Sequence, residues 1–457
     1  MADPGACGRI FLNLSAMVAL TMMLLLSPAN ATFPTVLHSN LGGRRAPNGN
    51  MITASLDERN SDFQGKELSP VVLVPGAGGT QLQARLTKNY KPGSFWCYSF
   101  SSNYFRLWLD AFSLIPPFIS CFAERIQLVY NEETERFENF PGVETKVPYW
   151  GSTEGMEVLD PTWKSLATYM SPLVSGLKAK GYEVGKTLFG APYDFRYAPG
   201  PYASDVAVKY SKDLKELIEQ AYAQNCNKSV VLVAHSLGGL WSLYFLNQQP
   251  LSWRQQYIRS FVSIAVPWGG TVQEMLTFAS GYAEGIALID PLALRAEQRS
   301  SETNLWLLPN PKVFGHQPLA LTNQRLYTSY DLEDFLTDIG YPGGVHAYRT
   351  RIPPLISNLT APGVPVSLVY SSGVKTPERL FYYGGFDKQP AVMDGDGDGT
   401  VNYDSLVSVI PEWSAAEGQL LRTTELADCT HSSIMLEEEA VKSIIEEILH
   451  DWTVYAD

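Results

Sequence analysis

Residues 230–246, VVLVAHSLGGLWSLYFL, constrain the fold more than any other stretch. Val230 to Ala234 are all aliphatic, the pattern of a short buried strand, and Asn225, Asn227 and Lys228 bound it ahead. The chain then runs through His235, Ser236, Leu237 and two glycines into Leu240, Leu243, Tyr244 and Leu246 at helical spacing. A strand that breaks into a helix at a serine has the geometry of a nucleophile elbow. The turn is so tight that the residues two before and two after the serine must be small, here Ala234 and Gly238. It holds the hydroxyl at the head of a helix, where backbone N–H groups point the same way. The usual pattern is G-x-S-x-G, and Ala at the first position is tolerable on volume. The pentapeptide alone also fits a glycine-rich turn of any α/β fold that happens to carry Ser, so the rest of the chain must decide.

At 457 residues the chain exceeds the usual single core, and one large domain with insertions or two domains are expected. A net charge of −13 argues against nucleic acid as a partner, and without a polybasic cluster it also argues against docking to anionic lipid by charge alone. Residues 1–31 read as a signal peptide, or alternatively a signal anchor: Arg9, an apolar run from Ile10 to Leu26, then Ala29-Asn30-Ala31 as an A-x-A cleavage pattern. Entry to the secretory route permits disulfides, and Asn227-Lys-Ser and Asn358-Leu-Thr are glycosylation acceptors consistent with it. Residues 32–66, rich in Asn, Gly, Ser and Arg without apolar period, read as a disordered lead-in. The expected folded domain is 67–457.

Val71 to Val74 form a second all-apolar strand, closed by PGAGGT. A dinucleotide fingerprint would need glycine where Gln81 stands, and no Walker lysine follows, so both phosphate readings fail and no cofactor is expected. Such a turn can instead aim the N–H of Ala77 at a reacting carbonyl oxygen, joined by the N–H of Leu237 after the serine, each donor worth about 3 kcal/mol in the transition state. Between Cys97 and Cys121, a loop one disulfide could close, Trp108, Leu109, Phe112, Leu114 and Ile115 stand among further apolar residues. This density suits a core plug or an exposed patch that touches lipid, and lipid contact is the expectation. Leu166, Met170, Leu173 and Leu177 recur at helical spacing, as do Leu214, Leu217, Ile218 and Ala221. Strands and helices therefore alternate, predicting an α/β parallel sheet. Asp194 and Arg196 read as a structural ion pair. The stretch after Pro267, with Gly269, Gly270, Gly281 and Gly285 as hinge points and Met275, Leu276, Phe278 and Ile286 as an apolar face, reads as a lid or a surface insertion.

A serine nucleophile needs an imidazole base and an orienting carboxylate. Of the six histidines, His235 should point away from the serine beside it, His38 lies in the lead-in and His450 ends the terminal helix. His316 and His346 precede any strand able to supply the acid. His431, in ADCTHSSIM after a strand over 420–426, is the best base. The run DGDGDGTV resembles a calcium loop, but Ser405 stands at its twelfth position instead of Glu, so no metal is expected. The acid of a lipase stands in a D-G-x-V turn, which singles out Asp398, with Asp396 second.

With these residues in view, the chain resembles the lecithin–cholesterol acyltransferase family, including its lysosomal phospholipase branch and most closely its plant-type members. VVLVPGAGGTQLQA, the Cys97–Cys121 spacing with its aromatic loop, GAPYDFR, VLVAHSLGG, AVPWGG, GDGDGTV and His431 occur in family order. The resemblance implies an α/β-hydrolase fold with cap or lid insertions (about 268–350) and a disulfide-closed, membrane-contacting insertion (about 95–125). It implies Ser236 as nucleophile, Asp398 and His431 as its partners, and Ala77 and Leu237 as oxyanion donors. The implied reaction moves a fatty acyl group from a glycerophospholipid, at a membrane or lipoprotein surface, to a sterol-like alcohol or to water. Hydrolysis alone, or a non-catalytic lipid carrier on the same fold, are the alternatives. The implied setting is the lumen of the secretory route or the extracellular space. Two departures stand out. Ala77 replaces the Asp or Cys that better-known members carry, and the expected disulfide partner of Cys429, in VSLVY, is missing.

Overall fold

The computed structural model describes residues 68–283, 289–357 and 359–452. The leader over 1–31, the lead-in over 32–66, Asn358, and Gly285 and Ile286 of the expected lid lie outside the described residues.

Six strands build the main sheet: β1 (Val71–Val74), β2 (Leu188–Gly190), β3 (Val230–His235), β4 (Ile258–Ile264), β5 (Val366–Ser372) and β6 (Leu421–Ala427). Their spatial order is β2-β1-β3-β4-β5-β6, and every neighbouring pair is parallel. The central strands are covered on both faces, so β1 and Val230 to Ala234 of β3 read as unbroken apolar runs, whereas the edge strand β6, LRTTELA, is partly exposed. Side chains alternate across each strand. Val72, Val74, Leu232 and Ala234 enter one core, whereas Val71, Leu73, Val231 and Val233 enter the other.

Helix α1 (Ser171–Ala179) packs into the second core, and α2 (Asp205–Gln224) and α3 (Leu237–Asn247) into the first. The closing helix, α4 (Glu438–Ile448), returns to α1, with Val441, Ile444, Ile445 and Ile448 on its buried face. A Cβ on Gly176 of α1 would lie 2.4 Å from Ile445 Cδ1, so glycine sets that close approach. Helix α2 starts where Ser204 accepts a hydrogen bond from the N–H of Ala207, with Asp205 in the first turn favoured by the helix dipole. The apolar period from Leu166 overran the true start of α1: Pro172 sits in its first turn, where a missing N–H is tolerated, and Leu166 is exposed.

The chain leaves β1 for β2 on one side, then crosses to β3 on the other. A crevice opens at such a switch point, outside the carboxyl ends of the strands. The turn after β1 and the serine after β3 both lie there. A six-stranded parallel sheet with a strand–serine–helix elbow at its switch point is the α/β-hydrolase fold. Between β4 and β5 the chain leaves the sheet and builds helices Val272–Ser280, Pro291–Ser300, Leu332–Asp338 and Gly343–Arg351, among others. No helix among the described residues is long and apolar enough to cross a membrane.

Cys97 and Cys121 are joined in a disulfide. The residues inside that loop divide differently from the sequence expectation. Leu114 is buried with Leu107, Ile119 and Phe122 against Ile289 and Leu294 of the β4–β5 insertion. Trp108 also turns inward: its indole N–H donates to the carbonyl of Gly78 at 2.6 Å, and its ring packs on Phe122 and Phe195. Leu109 and Ile115 are half-buried, and of the five residues expected at lipid only Phe112 is exposed. The outward rings are instead Phe95, Trp96, Tyr98 and Phe100, around the disulfide itself. Asp194 and Arg196 form a buried pair at 2.6 Å, and the guanidinium also donates to the carbonyl of Ile126 and to Asn139.

Candidate active site

Ser236 has φ 54° and ψ −130°, a conformation costly for a residue with a Cβ. Its flanks hold it there: its N–H donates to the carbonyl of Ile264 on β4, and its carbonyl accepts from the N–H of Gly239, both at 2.8 Å. The two glycines that follow are required by space. A Cβ on Gly238 would lie 2.3 Å from the carbonyl oxygen of Pro75, and one on Gly239 would lie 2.1 Å from Val266 Cγ2. The elbow is therefore wedged against the end of β1.

His431 stands on the loop after β6. Thr430 and Ser433 brace that loop reciprocally, each N–H donating to the other's hydroxyl. Its Nε2 lies 2.8 Å from Ser236 Oγ and its Nδ1 lies 2.7 Å from Asp398 Oδ2. The backbone repeats the link, because the N–H of His431 donates to the carbonyl of Asp398 at 2.7 Å. Asp398 is fully buried, and its Oδ1 accepts from the N–H groups of Thr400 and Val401 at 3.0 and 2.7 Å. With Nδ1–H donating to the carboxylate, Nε2 is left to accept the proton of the serine hydroxyl. Asp396 does different work: its Oδ1 accepts from the N–H groups of Gly373 and Gly397, holding the turn.

The PGAGG turn presses on the elbow. A Cβ on Gly76 would lie 2.9 Å from Ser236 Cβ and 3.1 Å from His235 Nδ1. The carbonyl of Gly76 accepts from the N–H of Gly79 at 3.1 Å, and Gly78 takes a left-handed φ of +64° that suits glycine. Because the peptide is trans, engaging the Gly76 carbonyl turns the Ala77 N–H the opposite way. That N–H makes no hydrogen bond among the described residues, and Ala77 is exposed. Leu237 opens α3, where helix geometry leaves its N–H without an intrahelical acceptor.

His235, set aside in the sequence reading, does point away from the serine. It is buried, and its ring lies between Tyr169 and the His431 loop, with Nδ1 2.7 Å from Tyr169 Oη and Nε2 3.1 Å from the His431 carbonyl. Burial, reinforced by the neighbouring His431, holds its pKa well below the ordinary histidine range. Tyr169 was missed. It sits 67 residues ahead of Ser236 in a segment with no feature but apolar spacing, and nothing local marks it. His316 stacks on Tyr330, and His346 hydrogen-bonds the hydroxyl of Tyr130. Cys429 is free and buried; burial and the nearby Glu437 push its thiol up to about 11.

The lecithin:cholesterol acyltransferase family model matches residues 104–338. Lecithin-cholesterol acyltransferase-like 1 of Arabidopsis thaliana is 46% identical over 397 residues, covering 84% of this chain and 90% of that protein. Lysosomal phospholipase A and acyltransferase of Mus musculus is 38% identical over 371 residues, covering 80% and 87%. Phosphatidylcholine-sterol acyltransferase of Mus musculus is 35% identical over 379 residues, covering 82% and 84%. A serine, an imidazole and a carboxylate in hydrogen-bonded line at the switch point of a hydrolase sheet thus accompany close similarity along most of the chain, which belongs to the lecithin:cholesterol acyltransferase family.

Proposed function

We propose that the protein is a serine-dependent acyltransferase and phospholipase that works through an acyl-enzyme. Ser236 Oγ attacks the ester carbonyl of a glycerophospholipid while His431 Nε2 takes the hydroxyl proton. Asp398 keeps the imidazole in the tautomer that can accept and stabilises the imidazolium that forms. The N–H groups of Ala77 and Leu237 receive the charge that develops on the carbonyl oxygen. His431 then returns its proton to the leaving lysolipid alcohol. Water or a lipid alcohol such as a sterol discharges the acyl group by the same steps in reverse. The observation that carries this reading is the continuous line Ser236–His431–Asp398, at 2.8 and 2.7 Å.

The acyl donor is met at a lipid surface in this reading. Phe95 is 94% exposed, and Trp96, Tyr98, Phe100 and Phe112 are exposed near it in sequence around one disulfide. Three or four such side chains leaving water would contribute roughly 5–10 kcal/mol gross, at about 1.5–3 each, before ordering costs. A secretory-route setting is supported by the disulfide, by the exposed turn that carries the acceptor Asn227, and by the lysosomal relatives.

The test is incubation of purified protein with labelled phospholipid liposomes, with and without sterol, followed by identification of the acyl products. Free fatty acid or acylated alcohol is expected from the parent protein, and Ser236→Ala should cost about 10⁴–10⁶ in rate. A folded Ser236→Ala protein with undiminished lipid turnover would refute the assignment.

A further inference from the structure

Two groups outside the reacting line bind to each other and to both halves of the site. The N–H of Gly76 donates to Tyr169 Oη at 2.9 Å, Tyr169 Oη lies 2.7 Å from His235 Nδ1, and His235 Nε2 lies 3.1 Å from the carbonyl of His431. The direction of every proton in this chain follows. The His431 carbonyl can only accept, so His235 carries its proton on Nε2 and donates it there. In the neutral ring Nδ1 is then an acceptor, and the Tyr169 O–H donates to it while its oxygen accepts from Gly76. The low basicity that burial imposes on this ring agrees with that assignment. No proton is left over and no acceptor is doubly used.

From this geometry we infer that Tyr169 and His235 are positioning residues that hold the oxyanion turn and the general base in mutual register. The inference rests on reading Ser236 and His431 as the reacting pair. Gly76 is gripped at both ends, its N–H by Tyr169 and its carbonyl by Gly79, and the peptide between Gly76 and Ala77 carries the oxyanion donor. At its other end the same chain grips the backbone of the base. A displacement of either end alters the distance from the Ala77 N–H to the atom that His431 and Ser236 act on. This also explains two glycines of the turn. A Cβ on Gly79 would meet Tyr169 Cε1 at 2.6 Å, and one on Gly76 would crowd His235 Nδ1 at 3.1 Å, so both leave room for the link.

Tyr169→Phe deletes the hydroxyl and keeps the ring. Turnover of phosphatidylcholine vesicles is measured per site titrated to completion with a fluorophosphonate, so that misfolded protein drops out. Per-site kcat is expected to fall about 10–100-fold with KM within about twofold, the scale at which misplacement of catalytic groups is felt. His235→Gln places an N–H where Nε2 stood, whereas His235→Ala leaves none. The Gln variant should keep at least about tenfold more per-site turnover than the Ala variant. A merely structural role would lower the unfolding temperature and the titratable fraction but leave per-site kcat alone. Per-site kcat of Tyr169→Phe within about twofold of the parent, or equal values for the Gln and Ala variants, would overturn the inference. If the parent is not labelled at Ser236, the nucleophile reading fails instead, so the two failures are distinguishable.

Discussion

Asp398→Asn changes one atom of a buried side chain and leaves its shape. Oδ1 keeps its two donors, the N–H groups of Thr400 and Val401 at 3.0 and 2.7 Å, so the side-chain oxygen of Asn belongs there. Its NH₂ group is then forced into the place of Oδ2, 2.7 Å from His431 Nδ1. Two donors cannot face each other at that distance. The imidazole must move its proton to Nε2, leaving Nδ1 to accept from the amide. Nε2–H then points at Ser236 Oγ, 2.8 Å away, and cannot take its proton. The backbone bond from His431 N–H to the Asp398 carbonyl is untouched, so the loop stays in place. A wrong tautomer in an intact constellation lowers kcat by about 10⁴, or about 5.5 kcal/mol of transition-state stabilisation. The assay is acyl release from labelled phospholipid liposomes, with thermal unfolding in parallel to confirm the fold. Asp396→Asn is the internal control, because its Oδ1 serves only backbone N–H groups of Gly373 and Gly397. A stable Asp398→Asn protein within about tenfold of the parent would refute the tautomer argument, as would a larger loss in Asp396→Asn.

Gly238→Ala drives a methyl to within 2.3 Å of the Pro75 carbonyl, a backbone atom that cannot turn aside, and should destabilise by about 1–3 kcal/mol, read as a lower unfolding temperature. Ala77→Asp places a carboxylate on the exposed oxyanion turn; ionised, it opposes the developing oxyanion, and an unperturbed group protonates below about 3.9. The ratio of variant to parent activity should therefore rise as pH falls toward that value, and a ratio independent of pH would contradict the assigned role of this turn. Replacing Phe95, Trp96 and Phe100 together by Ser should weaken liposome binding by at least about tenfold while turnover of a dissolved short-chain ester stays unchanged, as measured by vesicle sedimentation and ester release. Cys97→Ser with Cys121→Ser opens a loop of sequence separation 24, and chain-entropy reasoning puts the loss at about 3.5 kcal/mol, measured by denaturant titration.

Parts of this molecule were legible because burial on both faces forces a composition. Val71–Val74 and Val230–Ala234 read as strands since every position must be apolar in a covered parallel sheet. Strand β2, only three residues long, carries too little pattern to stand out. The Cys97–Cys121 loop defeated the reading for another reason. It carries apolar residues on both its inward and outward sides, so composition cannot tell Leu114, buried against Ile289 and Leu294, from the exposed Phe112. The partner that buries Leu114 lies far along the chain, in the β4–β5 insertion.

Local sequence dictated the elbow, because the small residues around Ser236 answer to steric demands within one turn. It also dictated the order of Ser236, Asp398 and His431, through the motifs that bracket each. The D-G-x-V turn ranked Asp398 ahead of Asp396, and tertiary structure supplies the physical reason: of these two carboxylates in one glycine-rich turn, Asp398 comes to face the imidazole while Asp396 holds backbone N–H groups. Tertiary structure alone brought Tyr169 to His235, and it alone sorted the aromatic residues between core and surface. Hydrogen-bond partners and burial are properties of neighbours in space, and a sequence shows only neighbours along the chain.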